Sequence, residues 1–169
     1  VAYLNKDFIK LMEIFVDAEM KMFKGIDTPV IFIQNVVVDL ILGLGLNEVF
    51  KKYDAYIRKK YNAEPGYITM NLPALLDALN SVGIHNPIIA SSINKIGFRM
   101  SGGKEVYERY LNEKTFRPIA MQVLAAGALR PKEAIEYLAG FPKIESVLFG
   151  ASSKAHIQET RDLIMEYMG

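Results

Sequence analysis

The chain has 169 residues, of which 51% are hydrophobic, and a formal net charge of +1 at pH 7. That length and apolar content suffice for one well-buried domain, and we expect residues 1–169 to form it. Basic and acidic residues are interleaved, which argues against nucleic acid or an anionic membrane surface as a partner. Cysteine is absent, so disulfides and thiolate chemistry are excluded, and a reducing cytoplasmic location fits.

The most apolar stretch, 36–46, is not expected to enter a membrane. It is interrupted by Asp39, Gly43 and Gly45, and it is far shorter than the roughly 20 residues that a membrane-spanning helix needs. It also lacks the basic leader and the cleavage site of a signal peptide. The chain opens at Val1 in mid-pattern, which suggests a fragment or a processed product.

Strands alternate with helices after a leading helix. Continuous β-branched and aromatic runs predict strands at 30–33, 67–70, 88–91, 118–123 and 147–149. Apolar residues at helical spacing predict helices at 5–24, 48–61, 74–82, 104–112, 131–139 and 154–168. Residues 34–46 predict a less regular segment, with Asn47 capping the next helix. Pro65-Gly66 is expected to end that unit before the second strand begins.

The repeated order of strand and then helix indicates a parallel α/β fold. Fully apolar strands are typical of parallel sheets, whose strands are joined by right-handed crossovers. Two arrangements fit this order: an open α/β sandwich with a doubly wound sheet, or part of a (β/α)₈ barrel, the TIM barrel. A complete barrel needs about 250 residues, so this chain is about three βα units short of one. We therefore expect the C-terminal portion of a TIM barrel that starts at a helix, with the open sandwich as the alternative.

The stretch Ser146–His156 predicts a strand that leads through a turn of small residues into the last helix. The turn comprises Gly150, Ala151, Ser152 and Ser153. The start of a helix leaves backbone N–H groups unpaired at the positive end of the helix dipole, which suits a phosphate. The turn is therefore a candidate phosphate site; the alternative is that Ser152 or Ser153 only caps the helix.

Polar residues also follow the other strands, at the ends that parallel α/β folds use for function. They are Gln34, Asn35, Asp39, Thr69, Asn71, Ser91, Ser92, Asn94, Lys95, Arg99 and Gln122. This amide-rich and partly cationic set favours a phosphorylated or polar small molecule. No metal site is predicted, because only Asp39 offers a charged ligand and no histidine is near.

Lys95 and Arg99 are the best candidates for catalysis. A desolvated lysine can act as a Schiff-base nucleophile, and an arginine four residues later would favour its neutral form or clamp an anion. The alternative is a solvated loop lysine beside a structural arginine. Asn71 either contacts the reacting part of a ligand with them or caps the following helix. Gln122 is either a ligand contact or a buried amide satisfied by backbone.

The two histidines are expected to be structural. His85 precedes its strand, and His156 lies within the last helix. A partial barrel would leave apolar edges exposed, so we also expect a homo-oligomer.

The last third of the chain resembles the aldo-keto reductase superfamily. The segments PIAMQVLAAGALRPKEAIEYLAG and ESVLFGASSKAHIQETRDLI are similar to its final two βα units. This resemblance implies that the turn from Gly150 to Ser153 touches the phosphates of NADPH. We also expect Gln122 and Gly127 to be cofactor contacts. The segments NLPALLDALNSVGI, NPIIASSINKIGFRMSGG and FGASSKAHIQET are also similar to a group of archaeal and bacterial reductase-like barrel proteins. That second resemblance implies a fold but no particular reaction.

The chain departs from the reductase pattern at the catalytic residues. Reductases of this superfamily carry an aspartate, a tyrosine, a lysine and a histidine at the ends of the first four barrel strands. The strand at 30–33 would be the fourth, and Gln34-Asn35 follows it where the family has histidine. We therefore predict either an enzyme of reductase-like or aldolase-like carbonyl chemistry that binds a phosphate-bearing molecule or NADP, or a non-catalytic binding or structural module derived from a barrel.

Overall fold

A single parallel sheet organises the part of the chain that the structure describes. The structure is a computed structural model, which describes the backbone of residues 2–169 and the side chains of residues 8–169. The strands are β1 (Val30–Ile33), β2 (Glu64–Thr69), β3 (Ile88–Ser92), β4 (Arg117–Met121) and β5 (Ser146–Leu148). Every neighbouring pair of strands is parallel, so the predicted parallel α/β class is confirmed.

Helices connect successive strands. They are α1 (Ala2–Met20), α2 (Asn35–Gly43), α3 (Glu48–Tyr61), α4 (Leu72–Ser81), α5 (Lys104–Glu113), α6 (Pro131–Ala139) and α7 (Lys154–Met168), with short 3₁₀ turns at Lys21–Phe23 and Ala125–Gly127. The boundaries predicted for β1, α3 and α7 are confirmed to the residue. Among the helices described, none is both long enough and apolar enough to cross a lipid bilayer.

The order of strands within the sheet is the order of the chain, β1-β2-β3-β4-β5. A doubly wound sheet reverses its strand order at a switch point between its two halves. No reversal occurs among these five strands, so the doubly wound alternative is wrong for this part of the chain. Right-handed crossovers between strands that are neighbours in sequence place their connecting helices on one side of the sheet.

The segment predicted to be less regular is instead the helix α2. Its residues are apolar almost all round, so they give no amphipathic stripe from which a helix could be inferred. Val38 and Ile41 are fully buried, whereas Val36 is 70% exposed and Leu40 is 49% exposed. The helix therefore forms by packing one side against the sheet, where it contacts β2.

Two further local predictions are wrong. Asn47 lies at the start of α3, but its backbone is already helical and its side chain makes no capping hydrogen bond. Pro65 and Gly66 do not end a unit, because both lie inside β2. The ring of Phe32 covers Gly66 so closely that a Cβ at this position would lie 2.5 Å from a ring carbon. The glycine therefore meets a packing requirement within the strand.

The helix-facing side of the sheet is closed by large side chains. Tyr53 of α3 and Tyr67 of β2 are fully buried with their ring centroids 5.6 Å apart. The Tyr53 hydroxyl donates a hydrogen bond to the backbone oxygen of Ile31 at 2.7 Å. Leu75 and Leu79 of α4 are also fully buried. Burial of such side chains contributes about 1.5–3 kcal/mol each.

The opposite side of the sheet is not fully covered within the described chain. Residues paired in a parallel sheet point to the same side, and the pairs include Phe32 with Gly66, Ala90 with Ile119, and Met121 with Leu148. Phe32 and Ile119 are only partly buried, and Leu148 is 60% exposed. This side therefore presents apolar side chains that no helix of the described chain fully buries.

A cluster of polar side chains fastens α1 to α3. The Asp17 carboxylate of α1 accepts hydrogen bonds from the hydroxyls of Tyr56 and Tyr61 and from the ammonium group of Lys60. These donors, with Lys60 the strongest, lower the pKa of Asp17 from 3.8 to about 2. The cluster positions the leading helix beside α3.

Candidate functional site

A cavity of about 800 Å³ lies at the C-terminal ends of β4 and β5. Its walls come from the loop after β3, the segment after β4 and the turn after β5. They contain several of the predicted site residues: Arg99, Gln122, Gly127, Gly150, Ala151 and Ser152. This volume is typical of pockets for small molecules and cofactors, which range from about 300 to 1,000 Å³.

Arg99 supplies positive charge to this cavity. Its backbone is left-handed, with φ of 53°, and its guanidinium carbon lies 5.3 Å from the centre of the Phe98 ring. No ion pair is found for Arg99 among the described side chains. Its guanidinium can therefore donate two parallel hydrogen bonds to a phosphate or a carboxylate.

Asn94 holds the loop that carries Arg99. The Asn94 side chain is buried, accepts a hydrogen bond from the Phe98 N–H at 2.8 Å and donates one to the Phe98 oxygen at 2.9 Å. The loop is also tied to its neighbours, because Ile93 N–H donates to the oxygen of Met121 in β4 and Ser101 N–H donates to the oxygen of Met70, directly after β2. These bonds fix the loop backbone next to Arg99.

Gln122 lies directly after β4 and lines the same cavity. Its backbone is also left-handed, with φ of 54°. The buried Ser92 hydroxyl donates a hydrogen bond to Gln122 Oε1 at 2.7 Å. The Gln122 amide oxygen is thus engaged by protein.

The turn after β5 brings the N-terminus of α7 to the cavity. Gly150, Ala151 and Ser152 line it, and Ser153 accepts a hydrogen bond from the His156 N–H at 3.2 Å. Ser153 is therefore the N-cap of α7, which is the alternative interpretation of this residue. It is not among the residues that line the cavity. The remaining N–H groups of the first turn have no acceptor within the helix, so they favour an anion nearby.

Three residues of α7 that line the cavity were not predicted: His156, Glu159 and Thr160. His156, which is expected to be structural, lines the cavity, and its Nδ1 lies 3.3 Å from the Ser152 hydroxyl. Glu159 and Thr160 lie three and four positions after His156 and so share its face of the helix, and this spacing was the available signal. The wall thus carries an imidazole and a carboxylate as well as the helix N-terminus.

Lys95 does not join Arg99 in the cavity, which corrects their predicted pairing. Its ammonium group forms an ion pair with Glu133 of α6 at 2.6 Å, and its side chain is 49% exposed. A Schiff-base lysine requires removal from water. The position of Lys95 therefore matches the alternative of a solvated loop residue.

Asn71 is likewise a helix cap. Its side chain accepts a hydrogen bond from the Ala74 N–H at 3.4 Å at the start of α4, and it does not line the cavity at β4 and β5. The structure therefore supports the capping interpretation over contact with a ligand.

A polar cluster behind the end of β2 has a structural role. The Thr69 hydroxyl donates to the Asp39 carboxylate at 2.6 Å. The hydroxyl of Tyr107, a fully buried residue, donates to Met70 O at 2.8 Å and accepts from Leu72 N–H at 3.0 Å. Burial raises the pKa of Tyr107. These bonds fix the connection from β2 to α4.

Arg99 also borders a second cavity, of about 560 Å³, at the ends of β1 to β3. Asn35, Met70 and Ser101 are among its lining residues. Arg99 thus borders both cavities.

A search for metal ligands and comparisons with known proteins both bear on the identity of this site. No group of three or more histidine, aspartate or glutamate side chains in the described residues could hold a metal ion. Comparison of the chain with protein-family models, with curated proteins and with solved structures yields no match. The resemblance to aldo-keto reductases therefore stays a prediction, and the interpretation of the site depends on its geometry.

Proposed function

We propose that this chain binds a phosphate-bearing small molecule, of which NADP is one, in the cavity at the ends of β4 and β5. The observation that carries the proposal is the meeting of Arg99 with the N-terminus of α7 across one cavity. A guanidinium and the first turn of a helix are both groups that favour phosphate. The cavity volume of about 800 Å³ leaves room for the rest of such a ligand.

The other wall residues suit the uncharged part of the ligand. Glu159 would accept hydrogen bonds from ligand hydroxyl or amino groups, and Leu148 and Phe149 offer apolar surface. A carboxylate placed directly against a phosphate would repel it. The proposed ligand is therefore one whose phosphate lies at Arg99 and whose hydroxyls lie toward Glu159, such as a sugar phosphate or a nucleotide.

We further propose that the sheet is an arc of a (β/α)₈ barrel. Strand order without reversal and the partly uncovered apolar side of the sheet support this proposal. In such barrels the C-terminal strand ends form the ligand site, which is where the cavity lies. The exposed apolar residues Phe15 on α1 and Leu40 on α2 support self-association or contact with further βα units.

Titration calorimetry on the full chain tests the binding proposal. The ligands are inorganic phosphate, ribose 5-phosphate and NADPH. We expect Arg99→Ala to weaken binding about 10- to 100-fold, because it removes a charge-assisted pair of hydrogen bonds. Lys95→Ala is the matched control: it removes the same charge from the same loop but outside the cavity, and we expect a change below about 2-fold.

Two results would contradict this proposal. The first is an unmodified chain that binds none of the three ligands. The second is an equal loss of affinity in the two variants, because net charge alone would then account for binding.

A non-catalytic binding module is the second candidate, and the positions of Lys95 and Asn71 favour it. The described residues that line the cavity include no lysine and no tyrosine. Of the four residue types in the reductase tetrad, the cavity wall contains histidine, at His156. Binding of NADPH without its oxidation by small aldehydes would support the module, whereas turnover would support reductase-like carbonyl chemistry.

A further inference from the structure

Exposed apolar side chains are concentrated in one part of the chain. Thirteen large apolar residues are exposed among those that the structure describes, and nine of them fall within residues 11–44. Each of the nine is between 43% and 75% exposed. We call this set the α1–α2 patch: Leu11, Ile14, Phe15, Met22, Phe23, Ile26, Val36, Leu40 and Leu44.

The helix α1 is apolar on two sides, and the described chain covers one of them. Met12, Val16 and Met20, four residues apart, pack against the core. The other side carries exposed residues at 11, 14, 15, 18 and 22, which share a face of the helix because of this spacing. The hydrogen bonds of Asp17 to α3 fix which side faces inward. An apolar helix side that its own chain leaves uncovered indicates a partner.

The helix α2 continues the patch. Gln34, directly before α2, donates a hydrogen bond from Nε2 to Glu19 Oε1 of α1 at 3.1 Å, so the start of α2 lies beside the end of α1. Val36, Leu40 and Leu44 follow at four-residue spacing, on the side of α2 that faces away from the core. The two helices therefore present adjoining apolar surfaces.

The area of the patch matches the area that one partner contributes to a stable protein interface. If a large apolar side chain presents roughly 150–200 Å² when fully exposed, the nine together expose roughly 800–1,000 Å². A standard interface buries about 800 Å² on each partner. The patch is thus large enough for a stable dimer.

We infer that the α1–α2 patch is the interface with a second copy of this chain. A two-fold axis sets the same patch of both copies face to face, so each covers the apolar surface of the other. Residues 8–29 carry three lysines and four acidic residues, a net charge of −1, which gives an anionic lipid surface no attraction to this region. The inference names the partner for the self-association proposed above, and it does not depend on phosphate binding.

Sedimentation of the full chain as a function of concentration tests the interface with two variants, Leu40→Glu and Ile157→Glu. Both residues lie on helices and are 49% exposed, but Ile157 is on α7, outside the patch. We expect Leu40→Glu to weaken dimerisation at least about 10-fold, because the dimer would bury two glutamate charges. Ile157→Glu is the matched control and should change dimerisation by less than about 2-fold.

The absence of cysteine allows a second measurement that keeps the large apolar side chains intact. Ala18→Cys places a thiol on the exposed side of α1, and Ala155→Cys places one at an exposed position of α7. We expect a short bismaleimide to join Ala18→Cys chains into a covalent dimer and to leave Ala155→Cys chains monomeric.

Three results would overturn the inference: an unmodified chain that is monomeric at micromolar concentration, equal effects of the two glutamate variants, or equal cross-linking of the two cysteine variants. Binding of the unmodified chain to phosphatidylserine vesicles that Leu40→Glu abolishes would also overturn it, because the patch would then have a lipid partner. Titration of the same samples with inorganic phosphate tests the binding proposal separately, so a monomer that binds phosphate contradicts this inference alone.

Discussion

Replacement of Tyr107 by phenylalanine tests the buried hydrogen bonds that fix the connection from β2 to α4. The Tyr107 hydroxyl accepts from Leu72 N–H and donates to Met70 O, in surroundings where Tyr107 and Leu72 are both fully buried. In the variant, Met70 O keeps one partner, the Ser101 N–H at 3.1 Å. Leu72 N–H, by contrast, loses its acceptor in the interior.

The expected loss in the free energy of unfolding follows from the different outcomes for Met70 O and Leu72 N–H. One lost hydrogen bond contributes about 1 kcal/mol, and one buried N–H without a partner adds about 1–3 kcal/mol. We therefore expect the free energy of unfolding to fall by about 2.5 kcal/mol, which corresponds to a drop in Tm of about 5–10 °C for a chain of this length. Chemical denaturation and thermal unfolding by circular dichroism measure both quantities.

Tyr110→Phe provides the matched control on the same helix. Its hydroxyl donates to Asp77 Oδ2 at 2.7 Å at an exposed position, where water can replace the tyrosine hydroxyl. We expect this variant to lose less than about 0.5 kcal/mol. The reasoning is refuted if Tyr107→Phe is as stable as the unmodified chain, or if the two variants cost the same.

Two further predictions concern α1. Because the pKa of Asp17 is lowered to about 2 from 3.8, its contribution to stability is present above about pH 4 and is lost as the pH falls toward 2. Asp17→Asn should lower the free energy of unfolding at pH 7 by about 1 kcal/mol, after discount for solvent screening. The variant should also lose less stability than the unmodified chain as the pH falls from 4 to 2. An equal loss of stability in both proteins over this pH range would exclude this role. Phe15 is 60% exposed beside Leu11 at 51%, so Phe15→Lys should shift the chain toward monomer in light scattering. A chain that is already monomeric at micromolar concentration would contradict the proposed self-association.

The fold was predictable where local signals were strong and agreed with the packing. The helices at 48–61 and 154–168 have an amphipathic pattern, and the strand at 30–33 is a short apolar run between turn residues. The helix α2 was missed because its sequence is apolar on all sides, so only its contact with the sheet distinguishes a helix from an irregular segment. The start of β2 was missed because Pro65-Gly66 is typical of a turn, whereas the ring of Phe32 packs against it.

The site was predictable to the extent that strand ends determine it. Arg99, Gln122 and the turn at 150–152 meet because parallel strands bring their C-terminal ends to one edge of the sheet. The direction of a side chain within a long loop is not determined in this way. Lys95 pairs with Glu133 of α6, a partner 38 residues later that the local sequence around Lys95 does not indicate.

The short last strand gives the proposed ligand a second expected effect, on the stability of this edge of the sheet. β5 has three residues and joins the sheet through β4 alone in the described chain, so few hydrogen bonds hold this edge. The cavity spans from Arg99, on the β3 side, to the turn after β5. A ligand that contacts both walls ties the last βα unit to the rest of the sheet. Occupancy should therefore slow amide hydrogen exchange in β5 and at the start of α7, because their opening would require the ligand to leave.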